Sequence, residues 1–350
     1  MENYKKPLPA DFLEEHLREK HKGGRVTATS FDDIKKALKR MKNTETGKKI
    51  LRKQLVSVNT NDVQMVINEL EKKGYVDSTV KKTQNLLSGA FAIAVRMHLM
   101  SENCALSVTR SGIKKDYKKF NDEILDAEAI RAFVEEALSV DENGEPLYQY
   151  GAGVALQLVT GCRSGEIRAL HWTEVHEEAI QIEYSVTWVE DLGWDGIKGS
   201  KIIPFLSRTK SNNSRREITY EKDSIIDKCL IRLRQRYEKI TDSKGLGLVM
   251  PTRTGYYVTP NNYNKVIHRI LDKLEEKHLS SHKLRHSFIS YLVNDGKRDL
   301  STVASIVGHG DTRVTLKYAN HTQDEKAKEA IRMVSRLTMG FDKRDEISNE

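Results

Sequence analysis

Four stretches of the chain gather side chains able to handle an anion or a proton. They are TGCRSGEIRALHW (Thr160 to Trp172), RTKSNNSRREI (Arg208 to Ile218), SSHKLRHSFISYLVNDG (Ser280 to Gly296) and GHGDTRVTLKYAN (Gly308 to Asn320). An arginine fork matches paired oxygens of phosphate or carboxylate, a lysine or histidine passes a proton, and a tyrosine hydroxyl can attack an electrophile. Each stretch also has a plain reading. Arg163 and Glu166 are three positions apart and would form a surface pair on one helix face. Lys210 sits in a Ser- and Asn-rich hairpin turn, where side chains are normally solvated. His282 and Arg285 lie on a helix whose apolar side is Leu284, Phe288, Ile289 and Leu292, as a partly exposed pair would. His309 follows a C-capping Gly308 and would neutralise the end of a helix from Ser301 to Val307. Tyr318, nine positions after His309 and four after Val314, is a packing residue, a DNA contact or a nucleophile; spacing alone does not decide.

The elements that must position these residues read as mostly helix. TNDVQMVINELEKKGY places Val63, Val66, Ile67 and Leu70 at helical spacing, with a cap at Thr60 or Asn61 and a stop at Gly74. DSTVKKTQNLLSGAFAIAVRMHLM repeats the pattern through Val80, Leu87, Ala90, Phe91, Ala94 and Val95. Lys81 and Lys82 in its first turns oppose the helix dipole, which a nearby phosphate explains and a solvated face explains as well. With SFDDIKKALKRMK, a helical unit spans 28–107 behind a short basic tail, 1–27. VTRSGIKKDYKKFN reads as an exposed basic linker over 108–121, carrying Lys114, Lys115, Lys118 and Lys119. A second domain over 122–320 opens with LDAEAIRAFVEEAL, capped by Asp126, and continues as helix from Tyr148 to Trp172. It then alternates in AIQIEYSVTWVE, KIIPFLSRTK and RREITY before helices return from Ser224 to Ile240 and Asn261 to Lys277. The expected fold class is mainly α with a small antiparallel β-sheet, an α+β arrangement. In the remaining segment, 321–350, a helix puts Ala327, Ile331, Val334 and Leu337 on one face, to be buried against its own domain or a neighbour.

Composition narrows the class. A chain of 350 residues suits two domains, and 38% hydrophobic with 31% charged residues is ordinary for a globular protein. No apolar run approaches a membrane span and the opening MENYKKPLPADFLEEHLREK lacks a secretory signal, so the expected location is cytoplasmic. Cys104, Cys162 and Cys229 are scattered, without a Cys-x-x-Cys pair, and are expected as buried thiols rather than disulfides or zinc ligands. There is no Walker-type glycine loop, no His-Glu-x-x-His and no clustered acid pair, so neither metal nor cofactor is expected. A net charge of +8 fits a nucleic-acid partner without requiring one.

Taken together, the four stretches resemble the tyrosine recombinase, or phage integrase, family. Its catalytic domain shows an arginine in a T-G-x-R turn, a lysine in a β-hairpin, an H-x-x-R pair, a G-H and a tyrosine nine residues further on. Arg163, Lys210, His282, Arg285, His309 and Tyr318 match in the same order, and the resemblance runs from about Leu55 to about Met339. Its first part looks like the family's helical core-binding domain, which binds DNA. The chain departs from the common pattern at Val307, where leucine is frequent, and after Tyr318, where Ala319, Asn320 and His321 replace a Thr-His pair. Many phage integrases begin with an arm-binding domain; here the expectation is at most a basic tail with Lys5, Lys6 and the cluster from Lys22 to Arg25.

The resemblance implies a chemistry. Arg163 and Arg285 clamp the non-bridging oxygens of a phosphodiester, His282 and His309 add hydrogen bonds, and Lys210 protonates the leaving 5′ oxygen. Tyr318 attacks phosphorus to give a 3′-phosphotyrosyl bond that stores the ester for rejoining, without metal or ATP. Glu166 supports the site by orienting Arg163 or another side chain. Lys81, Lys82 and the linker lysines are DNA-contact candidates. The implied partners are double-stranded attachment sites, a homotetramer on DNA formed from monomers or weak oligomers, and a host DNA-bending protein or directionality factor. An integrase of a phage or integrative element is the expected role. A resolvase or inverting recombinase, a type IB topoisomerase-like enzyme and a non-catalytic DNA-binding relic or repressor are its rivals.

Overall fold

The computed structural model describes residues 12–13, 28–112, 124–190, 202–209, 215–240, 246–294, 298–309 and 315. Lys210, Tyr318, Lys114, Lys115, Lys118, Lys119, the basic tail and the expected C-terminal helix lie outside them. The chain divides into two compact units, Met1–Lys119 with Val189–Phe205, and Phe120–Trp188 with Leu206–Glu350.

In the first unit, α1 (Ala28–Lys42), α2 (Glu45–Arg52), α3 (Thr60–Lys72) and α4 (Asp77–Arg96) surround one apolar core. Val63, Val66, Ile67 and Leu70 of α3 and Val80, Leu87, Ala90, Phe91 and Ala94 of α4 are all buried in it, as the helical period requires. Val95 is only half-buried. The cap of α3 is Asn59, one residue earlier than expected. Its side chain accepts the Asp62 N–H and the Asp62 carboxylate accepts the Asn59 N–H, each at 3.0 Å. This reciprocal pair satisfies two orphan donors at once, which Thr60 or Asn61 would not. Gly74, at φ 80°, closes the other end in the left-handed region. The start of the expected linker is held on this unit: Val108 is buried, Arg110 pairs with Asp77 at 2.8 Å, and the Ser111 N–H donates to Glu71 at 2.8 Å.

The second unit is built around α6 (Gly151–Thr160), whose residues are nearly all buried. Packed on it are α5 (Ala127–Ala137), α7 (Ser164–Ala169), α8 (Ile225–Glu238), α9 (Pro260–Lys273) and α10 (Ser281–Asn294), while α11 (Leu300–Val307) rests on α10. Asp126 caps α5 as expected, accepting the Ala129 N–H at 2.8 Å. α9 ends short of Lys277 because Glu275 turns into the left-handed region at φ 56°. The alternating run AIQIEYSVTWVE is two strands, β1 (Ala179–Ile182) and β2 (Tyr184–Glu190). β1 pairs antiparallel with β4 (Arg216–Thr219), and β2 pairs with β3 (Ile202–Arg208), so the one small sheet expected is two two-stranded ones. Cys104, Cys162 and Cys229 are free and buried. Among the described residues no helix is long and apolar enough to cross a membrane.

Candidate active site

Two glycine-ended helices and one buried arginine organise the site. Gly161 ends α6 at φ 63°, and a Cβ there would come within 2.3 Å of the Phe288 ring. Only glycine supplies both the left-handed turn and that close approach. Gly308 ends α11 at φ 71° in the same way, and its turn is closed by His309, whose N–H returns to the Ala304 carbonyl at 2.9 Å. Arg285, from α10, reaches both ends. Its Nη1 donates to the Gly161 carbonyl at 2.7 Å and its Nη2 to the Val307 carbonyl at 2.8 Å. A cation across the negative ends of two helices is favourable, which helps a guanidinium only 1% exposed to stay charged. Burial, and then the nearby Arg163, bring its pKa down to about 10, still a full charge at neutral pH. The partly exposed pair expected of His282 and Arg285 is therefore split: Arg285 is buried and His282 exposed.

Arg163 and Glu166 form a helix cap rather than a pair on one helix face. Arg163 precedes the first residue of α7, and the Glu166 carboxylate accepts both its backbone N–H and its Nη1–H, each at 2.8 Å. The other side of Glu166 is taken by Arg216 of β4, whose Nη2 lies 2.9 Å from Oε2 and 3.2 Å from the Cys162 sulfur. Burial alone would raise the Glu166 carboxyl, but Arg216 and then Arg163 overturn it and hold it below the usual value. Sequence reasoning missed Arg216. The signal was its place two positions before Ile218, on the inward side of a strand whose alternate residues are exposed.

The histidines complete the picture. His309 Nδ1 lies 2.9 Å from the hydroxyl of Thr315, a fully buried residue three positions before Tyr318. Burial, then Arg285 and Arg163, hold the His309 imidazole down at about 4. Although much of His282 is exposed, partial desolvation by its surroundings and then the same two arginines lower it, and its ring meets His286 edge-on, with centroids 4.4 Å apart. His286, also unremarked in the sequence, is pushed down to about 3 by burial and then by His282. Gln157 of α6 fixes the start of this helix by donating to the Ser281 carbonyl at 2.7 Å. On the β2–β3 side, the Thr209 N–H donates to the Glu183 carbonyl at 2.9 Å, one residue before Lys210. Two guanidiniums pair with one carboxylate and a third, Arg285, is held on main-chain carbonyls beside them, with neutral imidazoles at the edge. Such a site has surplus positive charge to offer an anion and hydrogen-bond donors to orient it. Among the described residues no group of His, Cys, Asp and Glu is arranged to hold a metal ion.

Lys81 and Lys82 belong to the first unit and are exposed on α4; Lys82 Nζ stands 3.0 Å from the Asp33 carboxylate.

The chain resembles known proteins over most of its length. It is 24% identical over 283 residues to a XerC-like tyrosine recombinase of Caldanaerobacter subterraneus, covering 79% of this chain and 70% of that one. An integrase of a Staphylococcus phage is 24% identical over 342 residues, with 93% and 91% covered. Among solved structures, the Tn1549 transposon integrase in complex with transposon right end DNA superposes with a TM-score of 0.71 at 16% identity, covering 94% of this chain and 100% of that one. A lambda integrase dimer bound to a core site does so at 0.59 and 13% identity, covering 89% and 77%. The phage integrase family model matches residues 123–325, more than half of the chain and the span that holds every residue of this site. This chain therefore belongs to the phage integrase family, the tyrosine-type site-specific DNA recombinases.

Proposed function

We propose that the chain is the integrase of a phage or integrative element and that Arg163 and Arg285 grip the scissile phosphodiester of its attachment site. The observation that carries this reading is Arg285. It is almost wholly buried, is hydrogen-bonded to two main-chain carbonyls, and among the described residues pairs with no carboxylate. A buried cation so placed is incomplete until an anion arrives. Glu166, locked between Arg216 and Arg163, sets the angle of the Arg163 fork. His282 and His309 stay neutral while the arginines stand alone, and donate to the phosphate oxygens once its charge answers those arginines. Tyr318 attacks phosphorus in line, Lys210 gives the proton to the departing 5′ oxygen, and a second strand's 5′-hydroxyl later reverses the step. The first unit holds the duplex, with Lys81, Lys82 and the linker lysines on its phosphates. Solved relatives include a lambda integrase tetramer bound to a Holliday junction, and we extend that assembly to this chain.

The test is a nicked duplex carrying the element's junction, incubated with protein and then denatured. Wild type leaves DNA covalently attached, and Tyr318→Phe leaves none; an adduct that survives this change rules out Tyr318 as nucleophile. Adding a second site separates recombination from relaxation, since a topoisomerase-like enzyme would never join strands from different partners.

A further inference from the structure

At the other end of α6 the second unit holds a cavity of about 340 Å³, between the turn preceding that helix and helices α8 and α9. The ten residues of α6 separate it from the catalytic end by about 15 Å. Arg232 and Arg236 line it from successive turns of α8, Lys239 from the residue that caps that helix, and Arg269 joins them from α9. Like charges a turn apart repel, and the dipole at the end of α8 accounts only for Arg236 and Lys239. Lys239 is answered by Glu145, also in the lining. Arg232, Arg236 and Arg269 form no ion pair among the described residues. Two of these forks are held in place: the Arg236 guanidinium carbon lies 5.1 Å from the Tyr150 ring centroid and that of Arg269 5.4 Å from Tyr148, whose hydroxyl donates to Glu136. Arg236 is half-buried at the cavity wall; its Nη1 is shut off from solvent, so the rest of the fork is what an anion in the cavity would meet.

We propose that this cavity is a binding site for a small phosphorylated anion, separate from the recombination centre. Three guanidiniums lining one cavity from two helices suit the several oxygens of a phosphate better than the two of a carboxylate. The volume is at the small end of the range for small-molecule pockets, about 300–1,000 Å³, and its concave form suits a compact ion rather than a duplex. The proposal does not rest on the assignment of Tyr318 or of the attachment site.

Calorimetric titration of the full chain with pyrophosphate, at constant ionic strength, tests it. One saturable site is expected, weakened about tenfold or more by Arg236→Met and by Arg232→Gln, and unchanged by Arg163→Ala. Arg232→Gln keeps the test valid if Arg236→Met loosens the fold, which its thermal midpoint reports. Repeating the titration with Tyr318→Phe protein already saturated with its DNA should leave pyrophosphate affinity intact. Loss of binding in that arm, or with Arg163→Ala, would assign the anion to the catalytic arginines or the site to DNA phosphates and overturn the proposal. So would heat that never saturates, or that is the same in the Arg232 and Arg236 variants.

Discussion

The two units treat charge in opposite ways. In the first, the buried polar residues among those described are the uncharged Thr44, Thr83 and Gln84, and the ion pairs lie at the surface, exposed as in Lys82 with Asp33 and Lys48 with Glu45 or half-buried as in Arg110 with Asp77. In the second, Glu166, Arg168 and Arg285 are at most 5% exposed and Arg216 is nearly so. Solvated pairs contribute little to stability, whereas a buried charge is costly unless every partner is present. The first unit is thus held by its apolar core, and its surface charge is free for long-range attraction of a polyanion. The second accepts buried charge, the dry, fixed field that the proposed phosphate clamp would need.

The strongest way to break this contrast is Arg285→Ala. Loss of the charge that joins two helix ends should lower strand cleavage about a thousandfold and stability by about 2–4 kcal/mol, read by adduct formation and by urea unfolding. Arg285→Lys should recover part of the stability but little of the cleavage, because an ammonium cannot fork. Unchanged cleavage in both variants would remove Arg285 from the phosphate clamp.

Next in size is Glu166→Gln, which leaves two arginines facing an amide and should cost about 3 kcal/mol. The Glu166 carboxyl is held below its ordinary 4.5, so its contribution is full above that pH and disappears as pH falls towards the lowered folded value. Unfolding curves should show an acid-sensitive segment in wild type that flattens in Glu166→Gln. The histidines act in a higher window. His309 takes up its proton at about 4 when folded against 6.5 in an open chain, so on acidification the unfolded state binds the proton first. Stability should therefore rise with pH between these values, with a slope close to one proton from this residue, and His309→Asn should reduce it. A slope unchanged by that substitution would place the titrating group elsewhere.

The smallest effect belongs to the first unit. Lys82→Ala should alter stability by no more than about 0.5 kcal/mol, the Asp33 pair being exposed. If Lys82 also touches a DNA phosphate, the salt dependence of DNA affinity should flatten by about one counterion. An unchanged salt dependence would leave the lysine as a partner of Asp33 alone.

Legibility followed distance along the chain. The buried faces of α3 and α4, the Asp126 cap and the glycine ends of α3 and α11 were readable because each depends on neighbours a few residues away, whereas the run from Tyr148 to Trp172, expected as helix, breaks at Gly161, where the left-handed turn is held against the distant Phe288 ring. Asn59 was missed as a cap because Asn59, Thr60 and Asn61 are all capping residues, and only the reciprocal bond to Asp62 selects one. The break at Glu183 escaped because alternation reports strand conformation and is silent on the partner strand. Arg216 escaped for the same reason: its partner Glu166 lies 50 positions away.

By itself the sequence determined which side chains are present, their order, and the helical and strand periods that aim them, since backbone geometry acts over a turn or two. Family membership was legible at that level. Only the tertiary structure decided that Arg285 is buried, that its fork joins Gly161, 124 positions away, to Val307, and that Glu166 is shared by two arginines. Burial and electric field depend on every atom nearby in space, whatever its place in the chain, and so they exist only once the chain has folded.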